Sequence, residues 1–406
     1  MNNMYIFPTR LLWGVSSPNK MQLLSILSNQ MAFQQRIKVN LLGEMEPDGQ
    51  ITIKHSRIFH IYIITISVNS KWSISIILPQ SGSPCENCIS NYEEITLEDI
   101  LKGKICFRTR LSNISIPLQE QNGQPIKGTN KVPIKVQEKL LSEFSIIICR
   151  TNIAPLENAG GKWLRLLKEN LQKTCGITSF SGQLLLEILN IPMGLVVFAC
   201  RVPEIKVWLD YKVVDDMLGV FLYHSLCQSC NAMVYSFGHF TIEGVLWHQN
   251  ENNRITPKIT RLFLELLKSF CKVWELENLL FYDTQLTPYK CNGAEKESNA
   301  RIRKVQMQNK EKTSNVGMVI TLDVGDEKYS HLIKKRKIGQ RLVRWELAKA
   351  YGCKGFRCQL PIYESAEIKK QEGFFHLKIF LTIWYFFLRI LKLQEETEYS
   401  IKVKLE

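Results

Sequence analysis

Pro84-Cys85-Glu86-Asn87-Cys88 supplies half of a zinc-deaminase pattern, in which two thiolates two residues apart join an upstream imidazole on the metal. His60 stands at a conceivable upstream distance. The glutamate that would shuttle protons two residues after it is replaced by Tyr62, which cannot do that work. A structural zinc asks for less, since Cys85 and Cys88 could join Cys227 and Cys230 in a tetrahedral thiolate site. The two pairs lie far further apart than zinc knuckles usually do, so they read as independent, metal-free pairs. Cys353 and Cys358 form another pair without a recognisable spacing.

Other reactive patterns are missing. No G-x-x-x-x-G-K-[ST] occurs, and Gly160-Gly161-Lys162 lacks the earlier glycine and the hydroxyl. Asp323-Val324-Gly325-Asp326 is too short and generic for a nucleotide site. Neither a G-x-S-x-G elbow nor H-E-x-x-H appears, and the seven histidines, among them His224, His239 and His248, are scattered. No catalytic residue, metal ligand or cofactor is named, and the reading leans toward binding or scaffolding rather than an enzyme.

The positive signal is charge. Lys+Arg number 52 against 38 Asp+Glu, a formal excess of +14, which favours a polyanionic partner. Ten of those excess charges fall in two short stretches, Lys296 to Lys312 and Lys334 to Lys349. A local cluster creates a field that neutrality elsewhere in the chain does not cancel within a Debye length of about 8 Å. Lys334, Lys335, Arg336, Lys337, Arg341 and Arg344, followed by Trp345, are the candidate nucleic-acid-binding residues: cations for phosphates and a ring to stack nearby. Lys334 to Lys337 also reads as a nuclear import signal.

At 45% hydrophobic and 22% charged residues the chain is globular in composition, and its 12 Cys in 406 residues are too few for a disulfide scaffold. No secretory leader is evident, so a reducing compartment is the default. The run from Phe374 to Leu393 is the one membrane candidate. Its uninterrupted apolar part is about half the roughly twenty residues a span needs, so a buried helix is the preferred reading and a tail anchor the alternative.

The elements that must position these residues give an α/β (α+β) fold. Residues 1–150 read as β-rich, with Arg36–Leu42 and Gln50–Lys54 flanking the turn Glu46-Pro47-Asp48-Gly49 as a hairpin. Ile61–Val68 and Trp72–Leu78 read as a second strand pair. Thr96 and Asp99 predict a capped short helix ending near Gly103. Lys104–Leu111 alternates, with Ile105, Phe107, Thr109 and Leu111 on one face and Arg108 and Arg110 on a solvated one. Residues 151–290 read as mixed α/β. Trp163 to Leu171 recurs at helical spacing, Leu184–Leu189 adds a helical turn, and Leu195–Cys200 is a buried strand. Phe240–Trp247 predicts a strand, Thr256-Pro257 a helix start, the stripe from Ile259 to Trp274 an amphipathic helix, and Leu279–Tyr282 the next strand. Residues 291–350 form a basic segment and 351–406 a hydrophobic and charged tail.

Phe198-Ala199-Cys200-Arg201-Val202-Pro203 resembles the F-A-N-R-V-P stretch of the topoisomerase VI B transducer domain, and Trp208-Leu209-Asp210-Tyr211 resembles its later W-K-x-Y loop. Position 200 departs from the Asn and position 209 from the Lys of those motifs, the gap between them is short, and the family's ATP site is missing. The combination is similar to the divergent topoisomerase VI B-like subunit of the meiotic double-strand break machinery. That resemblance implies a degenerate nucleotide-domain remnant over 1–150, a transducer-like domain over 151–290 and no cofactor. It further implies a nuclear, chromosomal, non-catalytic role in meiosis and DNA recombination. DNA, a topoisomerase-like catalytic A-like subunit and other meiotic break-complex proteins would be the partners. The alternatives are a membrane-tethered adaptor and a structural-zinc-containing protein.

Overall fold

The computed structural model describes residues 21–403 apart from 46–49, 56–57, 66–70, 79, 81–83, 91–93, 111–139, 147–150, 159, 168–173, 175, 200–203, 219–226, 249–258, 289–297, 326–333, 357, 359–361, 372–373 and 383–399. The first strands are β1 (Gln22–Leu23), β2 (Ala32–Gln34), β3 (Lys38–Glu44), β4 (Gln50–His55), β5 (Ile58–Thr65), β6 (Lys71–Ile77), β7 (Cys85–Ser90) and β8 (Glu94–Arg110). β1, β3 and β6 make a three-stranded antiparallel sheet, and β5, β4, β7 and the first half of β8 make an antiparallel ladder. The expected strands therefore exist, but two expected pairings do not. β3 pairs with β6 from Lys38↔Ile77 to Glu44↔Lys71, while β4 turns back on β5. Burial decides the exchange: alternation along β3 sends Val39 and Leu41 into the core with Trp72 and Ile76 of β6. The turn residues 46–49 lie outside the described residues.

β8 runs through the helix expected at Thr96–Gly103. Its pairing with β7, from Ser90↔Glu94 to Cys85↔Ile100, buries Leu97, Ile100 and Leu101. Asp99, expected near a helix start, instead takes φ +54 beside a register shift, where Asp tolerates the left-handed region better than most residues. Beyond it β8 becomes the spine of a parallel layer. Ile105 and Phe107 do share one buried face as the alternation predicts. The opposite face is not wet, however: Arg108 is buried, because helices cover that side as well.

The layer continues with β9 (Leu141–Ile146), β10 (Lys162–Arg165), α1 (Gly176–Leu189), β11 (Met193–Ala199), α2 (Tyr211–Leu218), β12 (Gly244–Trp247), α3 (Ile259–Val273), β13 (Leu280–Thr284), α4 (Ser298–Lys312), β14 (Val316–Val319) and α5 (Lys335–Lys349). Its strand order is β10-β9-β11-β8-β12-β13-β14, parallel throughout except for β10. The helix expected from Trp163 onward is β10 instead, with Trp163 buried and its indole Nε1 donating to the Ile26 carbonyl over 2.7 Å. The bend before it needs glycine, since Gly161 has φ +132 and a Cβ there would lie 2.8 Å from the Phe144 ring. α1, β11, α3 and β13 follow the periodicities read for them. The helix start at Thr256-Pro257 lies outside the described residues.

One face of the layer is a nest of aromatics. Phe107 meets Phe198 at 4.6 Å and Trp274 at 4.7 Å between ring centroids, with Phe237 and Phe270 edge-on. Contacts of this kind add about 0.5–1.5 kcal/mol per pair beyond the area they bury. The other face packs α1 and α5 over Leu195, Val197 and Tyr282. A separate antiparallel sheet contains β15 (Ile362–Gln371), β16 (Phe374–Thr382) and β17 (Ser400–Val403). The expected C-terminal helix is thus a strand over Phe374–Thr382, and no described helix is long and apolar enough to cross a membrane.

Candidate active site at the carboxyl edge of the sheet

β8 is where the winding of the parallel layer reverses. From β8 the chain goes to β9 and returns to β11 on one side, then crosses to β12, β13 and β14 on the other. Connections leaving such a point diverge to opposite faces, which opens a crevice outside the carboxyl ends of the strands. The residues that end or follow the strands there are the candidates for chemistry. Ser112 follows β8 by two positions, His248 directly follows β12, Asp283 and Thr284 end β13, and His331 lies between β14 and α5. Ser112 and His331 fall outside the described residues.

Below this edge a buried polar chain ties β8 to both covering helices. The Arg108 guanidinium donates to Ser181 Oγ of α1, and its Nη2 lies 3.6 Å from Glu346 Oε1 of α5. Both charged side chains are at most 2% exposed. Ser181 Oγ in turn donates to the Ile177 carbonyl over 2.8 Å, and the Cys106 thiol donates to Glu346 Oε2 over 3.3 Å. Burial pushes the Glu346 carboxyl up, with Arg108 pulling against it, and pushes the Cys106 thiol well up. A thiol so raised stays protonated and is no nucleophile.

Asp283 is the second buried carboxyl. Its Oδ2 accepts from Gln306 Nε2 of α4 over 2.7 Å, yet desolvation still pushes it well above the usual aspartate range. Gln306 also accepts from the Leu286 amide over 2.9 Å, so α4 is fastened to the end of β13. On the α5 side, Arg341 clamps Asp323 through two bonds of 2.7 and 2.6 Å and donates to the Ile320 carbonyl over 2.6 Å. The hydrogen bonds from Arg341 hold the Asp323 carboxyl below its ordinary value.

The six candidate nucleic-acid-binding residues are divided by α5. Lys334, Arg336 and Lys337 are exposed at its start, Lys335 is buried, Arg341 is committed to Asp323 and Arg344 is exposed farther along. Trp345 cannot stack on a base, because its ring is buried and its Nε1 donates to the Met318 carbonyl over 2.9 Å. Cys85, Cys227 and Cys230 are buried and lie outside any disulfide. Among the described residues no group of three or more His, Cys, Asp or Glu is placed to hold a metal ion.

Residues 160–348 match the family model of carbohydrate esterases described as sialic acid-specific acetylesterase. No curated protein matches the chain. Among solved structures, a carbohydrate acetylesterase from Xanthomonas citri superposes with a TM-score of 0.78 at 18% identity, over 89% of this chain and 82% of that one. At that identity the likeness shows the fold. An Arabidopsis thaliana protein reaches a TM-score of 0.40 at 16% identity, over 61% of this chain and 99% of that one. An acetyl xylan esterase from the rumen bacterium Butyrivibrio proteoclasticus reaches 0.32 at 8%, over 84% and 97%. Neither of these two scores carries an argument.

These matches overturn the topoisomerase VI B-like resemblance. With it go the meiotic role in double-strand break formation and recombination, the DNA, catalytic A-like and break-complex partners, and the nuclear, chromosomal location. The motif residues have structural work instead. Phe198 belongs to the aromatic core, Trp208 packs edge-on against Trp247, and Asp210 accepts from the Lys212 and Val213 amides at the start of α2. The membrane-adaptor and structural-zinc alternatives are equally unsupported by the match. Arg110-Leu111-Ser112 lacks the glycines of a G-x-S-x-G elbow, so no local motif marks Ser112.

Proposed function

We propose that this chain hydrolyses acetyl esters of a carbohydrate at the carboxyl edge of the sheet. The observation that carries the reading is the esterase-family match over 160–348, which spans β11 to β14 and most of α5, the strands and helix that flank the reversal point at β8. In this reading Ser112 is the nucleophile and His331 its base. His248 is the poorer candidate, being only 4% exposed. The Ser112 hydroxyl attacks the acetyl carbonyl while His331 takes its proton. The tetrahedral intermediate then collapses, the sugar hydroxyl leaves with that proton, and an acetyl-serine remains. Water activated by the same imidazole releases acetate and restores the serine. The Arg341–Asp323 clamp fixes the start of the connection that bears His331.

The test is release of acetate from O-acetylated sugars by the full chain. Ser112→Ala and His331→Ala are each expected to lower kcat by at least ~10³-fold with an unchanged thermal midpoint. Wild-type protein without turnover, or an active Ser112→Ala variant, overturns the proposal.

A further inference from the structure

Two C-x-x-C runs, alike in sequence, meet opposite geometries in the fold. Cys85 and Cys88 lie on β7, an extended strand in which Cys85 pairs with Ile100 and Cys88 with Thr96. Three residues of strand put their Cα atoms about 10 Å apart. A disulfide spans no more than about 7 Å, so this pair cannot close on itself. Cys227 and Cys230 instead share one turn of helix. Gln228 and Ser229 are helical, and the Asn231 amide donates to the Cys227 carbonyl over 2.9 Å, which closes the turn around both cysteines. Helical geometry then sets the two Cα atoms about 5 Å apart, inside the usual disulfide range of about 4.4–6.8 Å.

Both residues are 0% exposed, in the core that also holds Trp208, Met233 and Phe237. Burial pushes the Cys230 thiol well up, and Asp210 and Cys227 add to the rise, so the Cys227 sulfur lies within electrostatic reach of its neighbour. A core asks only for a small apolar side chain at each position, which alanine or valine would supply. Two sulfurs at bridging distance go beyond that need. The turn they share is also the seat of residues 152–156. The Asn152 amide donates to the Gln228 carbonyl over 3.1 Å, Asn231 Nδ2 to the Ile153 carbonyl over 2.6 Å, and the Leu156 amide to the Asn231 carbonyl over 2.8 Å. A cross-link in this turn pins the stretch whose Leu156 packs on the core.

We infer that Cys227 and Cys230 join in a disulfide as the chain folds, and that the closing core then seals the bond from solvent. With glutathione disulfide as the oxidant, one cysteine thiolate attacks a glutathione sulfur and expels the other glutathione, which takes up the proton. The second cysteine thiolate attacks the mixed disulfide and expels the remaining glutathione with the second proton. Two cysteine thiols are oxidised and one glutathione disulfide is reduced to two thiols. The bond is independent of the esterase reading, and acetate release is not its readout. The full chain is refolded from urea in mixed reduced and oxidised glutathione, quenched with acid, unfolded, alkylated, digested and weighed. The peptide holding Cys227 and Cys230 is expected to lack two hydrogens and to carry no alkyl group. Exposed to dithiothreitol before the quench, the bond is expected to open at least ~100-fold more slowly in the folded chain than in urea. Alkyl groups on both Cys227 and Cys230, a bond from either to another cysteine, or equal opening rates overturn the inference. If the chain does not refold from urea, the same labelling of chain expressed in the oxidising bacterial periplasm decides between the same outcomes.

Discussion

Two buried carboxyls differ in what their neighbours do for them. Glu346 faces the Arg108 guanidinium, so its charge is answered even at 2% exposure. Asp283 is 1% exposed and has the Gln306 amide and the Thr284 backbone, whose hydrogen bonds lower its pKa less than burial raises it. The sign of its pH effect follows. A carboxyl raised in the folded chain keeps a proton that the unfolded chain releases. Stability is therefore greatest below the ordinary aspartate value of 3.8 and falls as pH rises toward the folded value. Asp283→Asn keeps an acceptor for Gln306 and removes the titration. It is expected to match wild type near pH 3.5 and to exceed it by more than ~1 kcal/mol at pH 7, as read from urea midpoints. A variant no more stable than wild type at pH 7 would show that Asp283 is ionised in the fold.

β8 bears the most constraint of any element, because it joins the antiparallel ladder to the parallel layer and is flanked by β11 and β12. Gly103 marks the junction. A Cβ at that position would lie 1.9 Å from the Pro192 carbonyl oxygen, the acceptor of the Lys104 amide at 2.9 Å. The obstacle is backbone, so no rotamer relieves it. Gly103→Ala is expected to cost about 3 kcal/mol, measured as a fall in the urea midpoint with the slope unchanged. A loss below about 0.5 kcal/mol would mean the strand shifts freely there. The same strand shows what was legible beforehand. Alternation marked its second half because period-two burial of Ile105 and Phe107 is local. The first half reads as a helix because Thr96 and Asp99 have side chains suited to a cap, and the pairing of Thr96 with Cys88 on β7 is not visible in the local pattern. Arg108 looked solvated for the same reason, since its cover comes from Ser181 and Glu346, 73 and 238 positions away along the chain. α3 was legible because its stripe from Phe263 to Trp274 is apolar. α4 was not, for it buries Asn299, Gln306 and Asn309 beside Ile302, a stripe in which polar residues outnumber the apolar one. The candidate site suffered most, because a motif search asks for neighbours in sequence, whereas a sheet edge gathers residues from several strand ends.

At the scale of the whole molecule, the apparent change from β-rich to mixed character near residue 150 does not cut the parallel sheet. β8 and β9 come before that point, yet β11 lies between them and β12 pairs with β8 on the other side. One continuous core joins Val39 and Trp72 of the first strands to Phe198, Trp247 and Phe270 of the layer. Removing residues 1–150 would expose both edges of β11, which carries Leu195, Val196, Val197 and Phe198, all at most 1% exposed in the intact chain. Such a fragment keeps the helices and β11 to β14 but lacks β8 and β9, which flank β11 in the sheet. Expressed alone, residues 151–406 are therefore expected to aggregate or to melt without a cooperative transition, whereas the full chain unfolds the two regions together. Mixing the fragment with residues 1–150 during refolding is expected to restore a cooperative transition, because the missing strands can then enter from the second chain. Calorimetry and sedimentation decide the matter: a monomeric 151–406 fragment with a sharp transition of its own would show that the layer folds without its central strand.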